Sequence, residues 1–230
     1  MNTERFQLEQ IPSVLYGAPG ERGFLFLHGQ MGYKEEAKTF AQAACPKGYQ
    51  VLSIDLPGHG ERQGREEQMA PWTAVPDIRA ALTWAKSRWE SVSLRANSLG
   101  AYFARLAFDR PEQVLLVSPI LDMEGLILTM MDWAGVTEEE LRKRGEIAAT
   151  FGQSLSWKYL CWVRAHPAFD WTCPTHILYG SRDNMTSRQT IEEYIRRHDV
   201  RLTVMKGGEH WFHTPDQMTF LQAWEDAALD

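Results

Sequence analysis

Short apolar runs punctuate the chain at Phe24 to Leu27, Val51 to Ile54, Val92 to Arg95, Val114 to Ser118, Ile177 to Tyr179 and Leu202 to Met205. Runs of this length bounded by turn residues read as strands. Between and after them lie stretches with helical apolar spacing: Lys34 to Ala44, Ala74 to Arg88, Leu99 to Asp109, Ser187 to His198 and Thr214 to Ala228. The alternation predicts an α/β fold, a mostly parallel doubly wound sheet with helices on both faces. The last helix has a clear start signal, in which Thr214 caps, Pro215 takes the first helical position and Gln217 completes a capping box. Near the N-terminus, Arg5 to Glu9 and Ser13 to Tyr16 predict two edge strands split at Ile11-Pro12. One segment departs from the rhythm. From Glu124 to Pro174 no strand is expected, only helical periodicity carrying Met130, Met131, Trp133, Trp157, Tyr159 and Trp162. This predicts a helical insertion over the sheet at 124–174, with a core domain formed by 1–123 and 175–230. The large side chains of the insertion either fill its own core or line a ligand cavity.

Length and charge narrow the function classes. A chain of 230 residues suits one large domain with an insertion better than two independent ones. The 24 Lys and Arg against 30 Asp and Glu give a net charge of -6 with no basic block, which argues against nucleic-acid and anionic-membrane partners. Cys45, Cys161 and Cys173 are too few for a disulfide framework and form no C-x-x-C pair, so a reducing compartment fits best. Met1 to Gln10 is polar, and no stretch approaches the roughly 18 apolar residues of a membrane span. The expectation is a soluble, cytoplasmic protein whose oligomeric state is open, a homodimer being compatible with the sequence.

The chemistry concentrates where a strand runs through Val92-Ser93-Leu94-Arg95-Ala96-Asn97-Ser98-Leu99-Gly100 into an apolar helix. A nucleophile on so sharp a turn takes strained backbone angles, and the residues two before and two after it must be small; Ala96 and Gly100 meet that need. The helix then points its N-terminal N–H groups at the place where negative charge develops in acyl transfer. Upstream, the strand ending in His28-Gly29-Gln30-Met31-Gly32 brings a glycine-bearing loop that could supply a second N–H donor. Another glycine-rich loop follows Ile54-Asp55-Leu56-Pro57-Gly58-His59-Gly60, where His59 reads as a structural hydrogen-bonding residue. Arg95 is anomalous. A guanidinium in a central strand needs either a carboxylate partner or a polar edge near the site.

These motifs resemble those of α/β-hydrolase-fold serine hydrolases, in the carboxylesterase, monoacylglycerol-lipase-like and serine-aminopeptidase-like branch. His28-Gly29-Gln30, Asp55-Leu56-Pro57-Gly58-His59-Gly60, Ala96-Asn97-Ser98-Leu99-Gly100, Tyr179-Gly180-Ser181-Arg182-Asp183 and Gly207-Gly208-Glu209-His210 follow the family order over nearly the whole chain. The resemblance implies Ser98 as nucleophile, Asp183 as acid, His210 as base, and the backbone N–H groups of Gln30 and Leu99 as oxyanion donors. It also implies that 124–174 is the family's cap. The order Ser, Asp, His is the one this fold imposes. His213 competes with His210, and Asp122 with Asp183; in each case the local context favours the family residue. The expected activity is hydrolysis of small-molecule carboxylic esters with short to medium or aromatic acyl groups, without metal or organic cofactor. Met130, Trp133, Trp157 and Trp211 are the candidates for substrate contact. An amidase, peptidase or thioesterase on the same machinery, and a non-catalytic binding member of the fold, are the alternatives.

Overall fold

The structure, a computed structural model, describes residues 1–64, 68–150 and 153–229. Its strands in chain order are β1 (Thr3–Leu8), β2 (Ile11–Tyr16), β3 (Arg22–Leu27), β4 (Tyr49–Ile54), β5 (Ser91–Asn97) and β6 (Val114–Val117). They continue with β7 (Glu146–Ala148), β8 (Ser154–Ser156), β9 (Thr175–Gly180) and β10 (Val200–Met205). The helices are α1 (Ala37–Ala44), α2 (Pro71–Lys86), α3 (Ser98–Ala107), α4 (Met123–Ala134), α5 (Glu138–Arg144), α6 (Trp157–Ala165), α7 (Arg188–Arg197) and α8 (Pro215–Ala228).

Eight strands form one sheet in the order β1-β2-β4-β3-β5-β6-β9-β10, parallel from β4 to β10 and antiparallel where β1 and β2 join. Side chains alternate across a strand, so a strand buried on both faces feeds two cores. In β3, Leu25 and Leu27 belong to one apolar cluster with Ile78 of α2 and Phe103 of α3. Phe24 and Phe26 belong to the other, with Phe40 of α1 and Trp224 of α8. No helix among the described residues is long and apolar enough to cross a membrane.

Three local expectations need correction. The first hairpin turns at Glu9-Gln10, with Glu9 at φ 57, and Pro12 lies inside β2. Pro12 is tolerated near the strand start, where its carbonyl accepts from Asp55 N. Of these two strands only β1 lies at an edge, because β4 covers β2. At the start of α8, Thr214 caps Gln217 N as expected, but the Gln217 side chain accepts from His213 N rather than from Thr214 N, one residue outside a capping box.

The third correction concerns the segment between β6 and β9. It holds α4, α5 and α6, each opened by a capping side chain (Asp122, Thr137 and Ser156), and also the antiparallel hairpin β7–β8. Strands of three residues are too short to register as a period-two pattern. Arg164 of α6 ties the segment together, donating to Glu124 of α4 and, through both terminal nitrogens, to Glu138 of α5.

Candidate active site

At the end of β5 the chain turns abruptly into α3, and Ser98, the first helical residue, takes φ 45. This left-handed angle is strained for a residue with a side chain. The surroundings explain how the turn is accommodated. A Cβ on Gly29 would sit 3.2 Å from Ser98 Cβ, and one on Gly100 would sit 2.5 Å from the His28 carbonyl oxygen. The glycines therefore let the loop after β3 press directly against the elbow; Gln30 follows Gly29 in that loop, and Leu99 is the second residue of α3.

The loops after β9 and β10 meet at the same end of the sheet. A Cβ on Gly180 would lie 2.5 Å from the carbonyl oxygens of Gly208 and Glu209, so the two loops pass backbone against backbone. Arg182 N donates to Gly208 O and Gly207 N donates to Ser181 Oγ. This brings together Ser98, His210 and Asp183. Ser98 Oγ lies 2.8 Å from His210 Nε2, and His210 Nδ1 lies 2.8 Å from Asp183 Oδ2. With Nδ1–H donating to the carboxylate, Nε2 is left to accept the serine proton. The Asp183 side chain is fully buried, and its other oxygen accepts from Met185 N and Thr186 N. Thr186 is itself anchored, its hydroxyl donating to Pro119 O and its carbonyl accepting from Tyr179. The competitors are engaged elsewhere: Asp122 caps α4, and the His213 ring bonds Trp211 O and faces solvent.

Buried polar groups hold these loops in place. His28 Nδ1–H donates to Gly29 O while Nε2 accepts from Leu56 N, which fixes a neutral ring. Burial pushes its pKa down to about 4. His59 bonds Pro57 O and tilts against His28, the structural role expected of it. Lys34, 2% exposed, donates to Asp55 and Glu61, and Asp55 also accepts from Lys34 N and Glu61 N. Burial works against the Lys34 charge, but the hydrogen bonds to Glu61 and Asp55 outweigh it and raise its pKa. Arg95 has its partner in Glu225 of α8. Sequence reasoning missed Lys34, Thr186 and Glu225. Glu225 did carry a signal, since it shares the helical spacing of the buried Leu221, Trp224 and Ala228, and a charge on an apolar stripe calls for a buried counter-charge.

The profile of the alpha/beta hydrolase family matches residues 24–221. The chain belongs to the alpha/beta hydrolase family. Among solved structures, this hydrolase is similar to Est1E from Butyrivibrio proteoclasticus with ferulic acid bound, at 16% identity and TM-score 0.78 over 97% of this chain and 96% of the other. It is also similar to alpha/beta hydrolase domain-containing protein 10 from mouse, at 16% identity and TM-score 0.76 over 99% and 98%. A thioesterase domain from the curacin biosynthetic pathway matches at 15% identity and TM-score 0.57 over 98% and 99%. At these identities the likeness speaks for the fold alone. Comparison with curated proteins finds no match.

The residues expected to contact substrate occupy different environments in this hydrolase. Met130 is buried in the core cluster, and Trp157 is half-buried against it. Trp133 and Trp211 are exposed, 48% and 73%, and Trp211 stacks on His213.

Proposed function

We propose that this alpha/beta hydrolase cleaves carboxylic esters through a covalent acyl-enzyme on Ser98. The observation that carries the reading is the continuous hydrogen-bonded chain from Ser98 Oγ through the His210 ring to the buried Asp183 carboxylate. In the acylation step His210 Nε2 takes the hydroxyl proton as Ser98 Oγ attacks the ester carbonyl carbon. Asp183 keeps the ring in the tautomer that accepts at Nε2 and stabilises the imidazolium. The backbone N–H groups of Gln30 and Leu99 receive the oxyanion, aided by the N-terminus of α3. Collapse of the tetrahedral intermediate expels the alcohol, which takes the proton back from His210. Water activated by the same ring then releases the acid. The substrate class is a small ester with a short to medium or aromatic acyl group, for which the exposed Trp211, next to His210 in the chain, is a candidate contact.

A fluorophosphonate probe tests this directly. Labelling should map to Ser98 and vanish in Ser98→Ala, while a panel of p-nitrophenyl esters, thioesters and anilides ranks the substrate classes. His210→Ala and Asp183→Asn should each lower kcat roughly 10⁴-fold in a folded protein, whereas Asp122→Asn and His213→Ala should stay near wild type. Undiminished ester turnover by Ser98→Ala would overturn the reading.

A further inference from the structure

Asn97 precedes Ser98 and occupies the N-cap position of α3. Asparagine there normally turns its side-chain oxygen onto the N–H of the second or third helical residue. In α3 those residues are Leu99 and Gly100, and Leu99 N–H is the donor assigned to the oxyanion. The Asn97 side chain makes no such bond. Its Oδ1 instead accepts from Arg95 Nη1 at 2.5 Å. Arg95 is in turn immobilised: it is 1% exposed, Nε and Nη2 reach Glu225 Oε1 at 2.9 and 2.8 Å, and Phe26 and Phe40 pack over the guanidinium. A planar cation with a rigid fork of donors serves both acceptors at once, which an ammonium would not do in this geometry.

We propose that Arg95 is a positioning residue that holds the Asn97 amide oxygen off the first turn of α3, leaving the Leu99 N–H free for the oxyanion formed during attack by Ser98. The inference rests on the proposed acyl-enzyme chemistry. It also accounts for a charged side chain in a central strand three residues before the nucleophile, where an apolar one would pack without desolvating a charge. In the absence of Arg95 the amide rotates onto the helix and competes with the reacting oxygen for the same donor.

The test is a set of variants assayed for kcat and KM per phosphonate-titrated site, with unfolding curves for each. Loss of a whole oxyanion donor lowers turnover roughly 10²- to 10³-fold. A competing cap shares the donor, so about a 10- to 100-fold fall in kcat is expected for Arg95→Met with KM little changed. Because Arg95→Met alone strands Glu225, the pair Arg95→Met/Glu225→Leu removes both members of the ion pair and should recover most of the lost stability, Glu36 being a further half-buried carboxylate that feels Arg95, while kcat remains low. Adding Asn97→Ala removes the competing amide and should raise kcat at least about 10-fold above that of the pair. Arg95→Lys, which keeps a cation for Glu225 but loses the fork to Asn97, should fold and also show reduced kcat, relieved in the same way by Asn97→Ala. Wild-type turnover in Arg95→Lys or in the Arg95→Met/Glu225→Leu pair would make Arg95 a structural ion pair only. An Asn97→Ala addition that fails to raise kcat in either background would equally overturn the proposal. Absence of wild-type labelling at Ser98 is a distinct result, which overturns the functional reading and this inference with it.

Discussion

His28 illustrates how a single side chain sets conditions for the whole site. Its ring is neutral because Nε2 must accept from Leu56 N, and burial lowers its pKa from 6.5 to about 4. Above pH 6.5 the ring is neutral in both folded and unfolded chains, and its contribution to stability is fully present. As the pH falls, the unfolded chain takes up a proton near 6.5 that the folded protein refuses until about 4, so stability is lost across that window. The loss amounts to about 3 kcal/mol over the full interval. Urea unfolding at several pH values should therefore show a declining stability between pH 6.5 and 4, and His28→Gln, which keeps an acceptor but does not titrate, should flatten that slope by about one proton whatever its absolute stability. An unchanged slope in the variant would mean that other groups carry the acid sensitivity.

At the scale of elements, the segments after β3 and β4 are joined by the buried Lys34 and Asp55 pair, with Glu61 as a second partner for the lysine. Asp55 also receives the backbone N–H groups of Lys34 and Glu61, and Gly60 is required because a Cβ there would fall 2.1 Å from the Asp55 carboxylate. Asp55→Asn leaves the ammonium of Lys34 without its fully buried counter-charge and should destabilise the protein by about 3 to 5 kcal/mol, measurable in denaturant. A change below about 1 kcal/mol would place the pair among interactions worth no more than an exposed one. The sequence could not announce this pair, because nothing local distinguishes Lys34 from a solvated lysine. The strands were legible for the opposite reason. Phe24 to Leu27 or Val51 to Ile54 must be apolar throughout when both faces are covered, and that leaves a mark that survives without any knowledge of partners. The elbow was legible too, because strain at Ser98 demands Ala96 and Gly100 as small neighbours. The motifs named Ser98, His210 and Asp183, and the fold brings those three side chains into hydrogen-bond contact. What stayed hidden depends on pairing across long separations or on very short elements: Arg95 with Glu225, Thr186 with Pro119, and the β7–β8 hairpin.

For the whole molecule, the sheet gathers Ser98, Asp183 and His210 at the C-terminal ends of its parallel strands, and the segment between β6 and β9 adds three helices and a hairpin. The segment packs its own apolar residues inward, with Met130, Met131, Leu141, Ile147, Leu155 and Leu160 all in the core cluster shared with α2 and α3. Burial on this scale makes Met130 a structural residue first, so shortening it should reduce stability. Trp133 is different, since nearly half of it faces solvent, and Trp211 is more exposed still. A singly exposed tryptophan is ordinary on a protein surface, so the ester series decides whether either of them meets the acyl group. If they bind the acyl group, each methylene buried against them contributes about 0.8 kcal/mol, so kcat/KM should rise by roughly fourfold per added carbon and then fall when the surface is filled. Trp133→Ala and Trp211→Ala should therefore flatten the rise across a graded p-nitrophenyl ester series. Trp133→Ala should leave the rate of Ser98 labelling by a small phosphonate nearly unchanged, because Trp133 belongs to α4 and not to the hydrogen-bonded chain at Ser98. A chain-length profile that is identical in wild type and both variants would assign acyl recognition to other residues, and would make the arginine-clamped segment formed by α4, α5 and α6 a cover whose shape is independent of substrate choice.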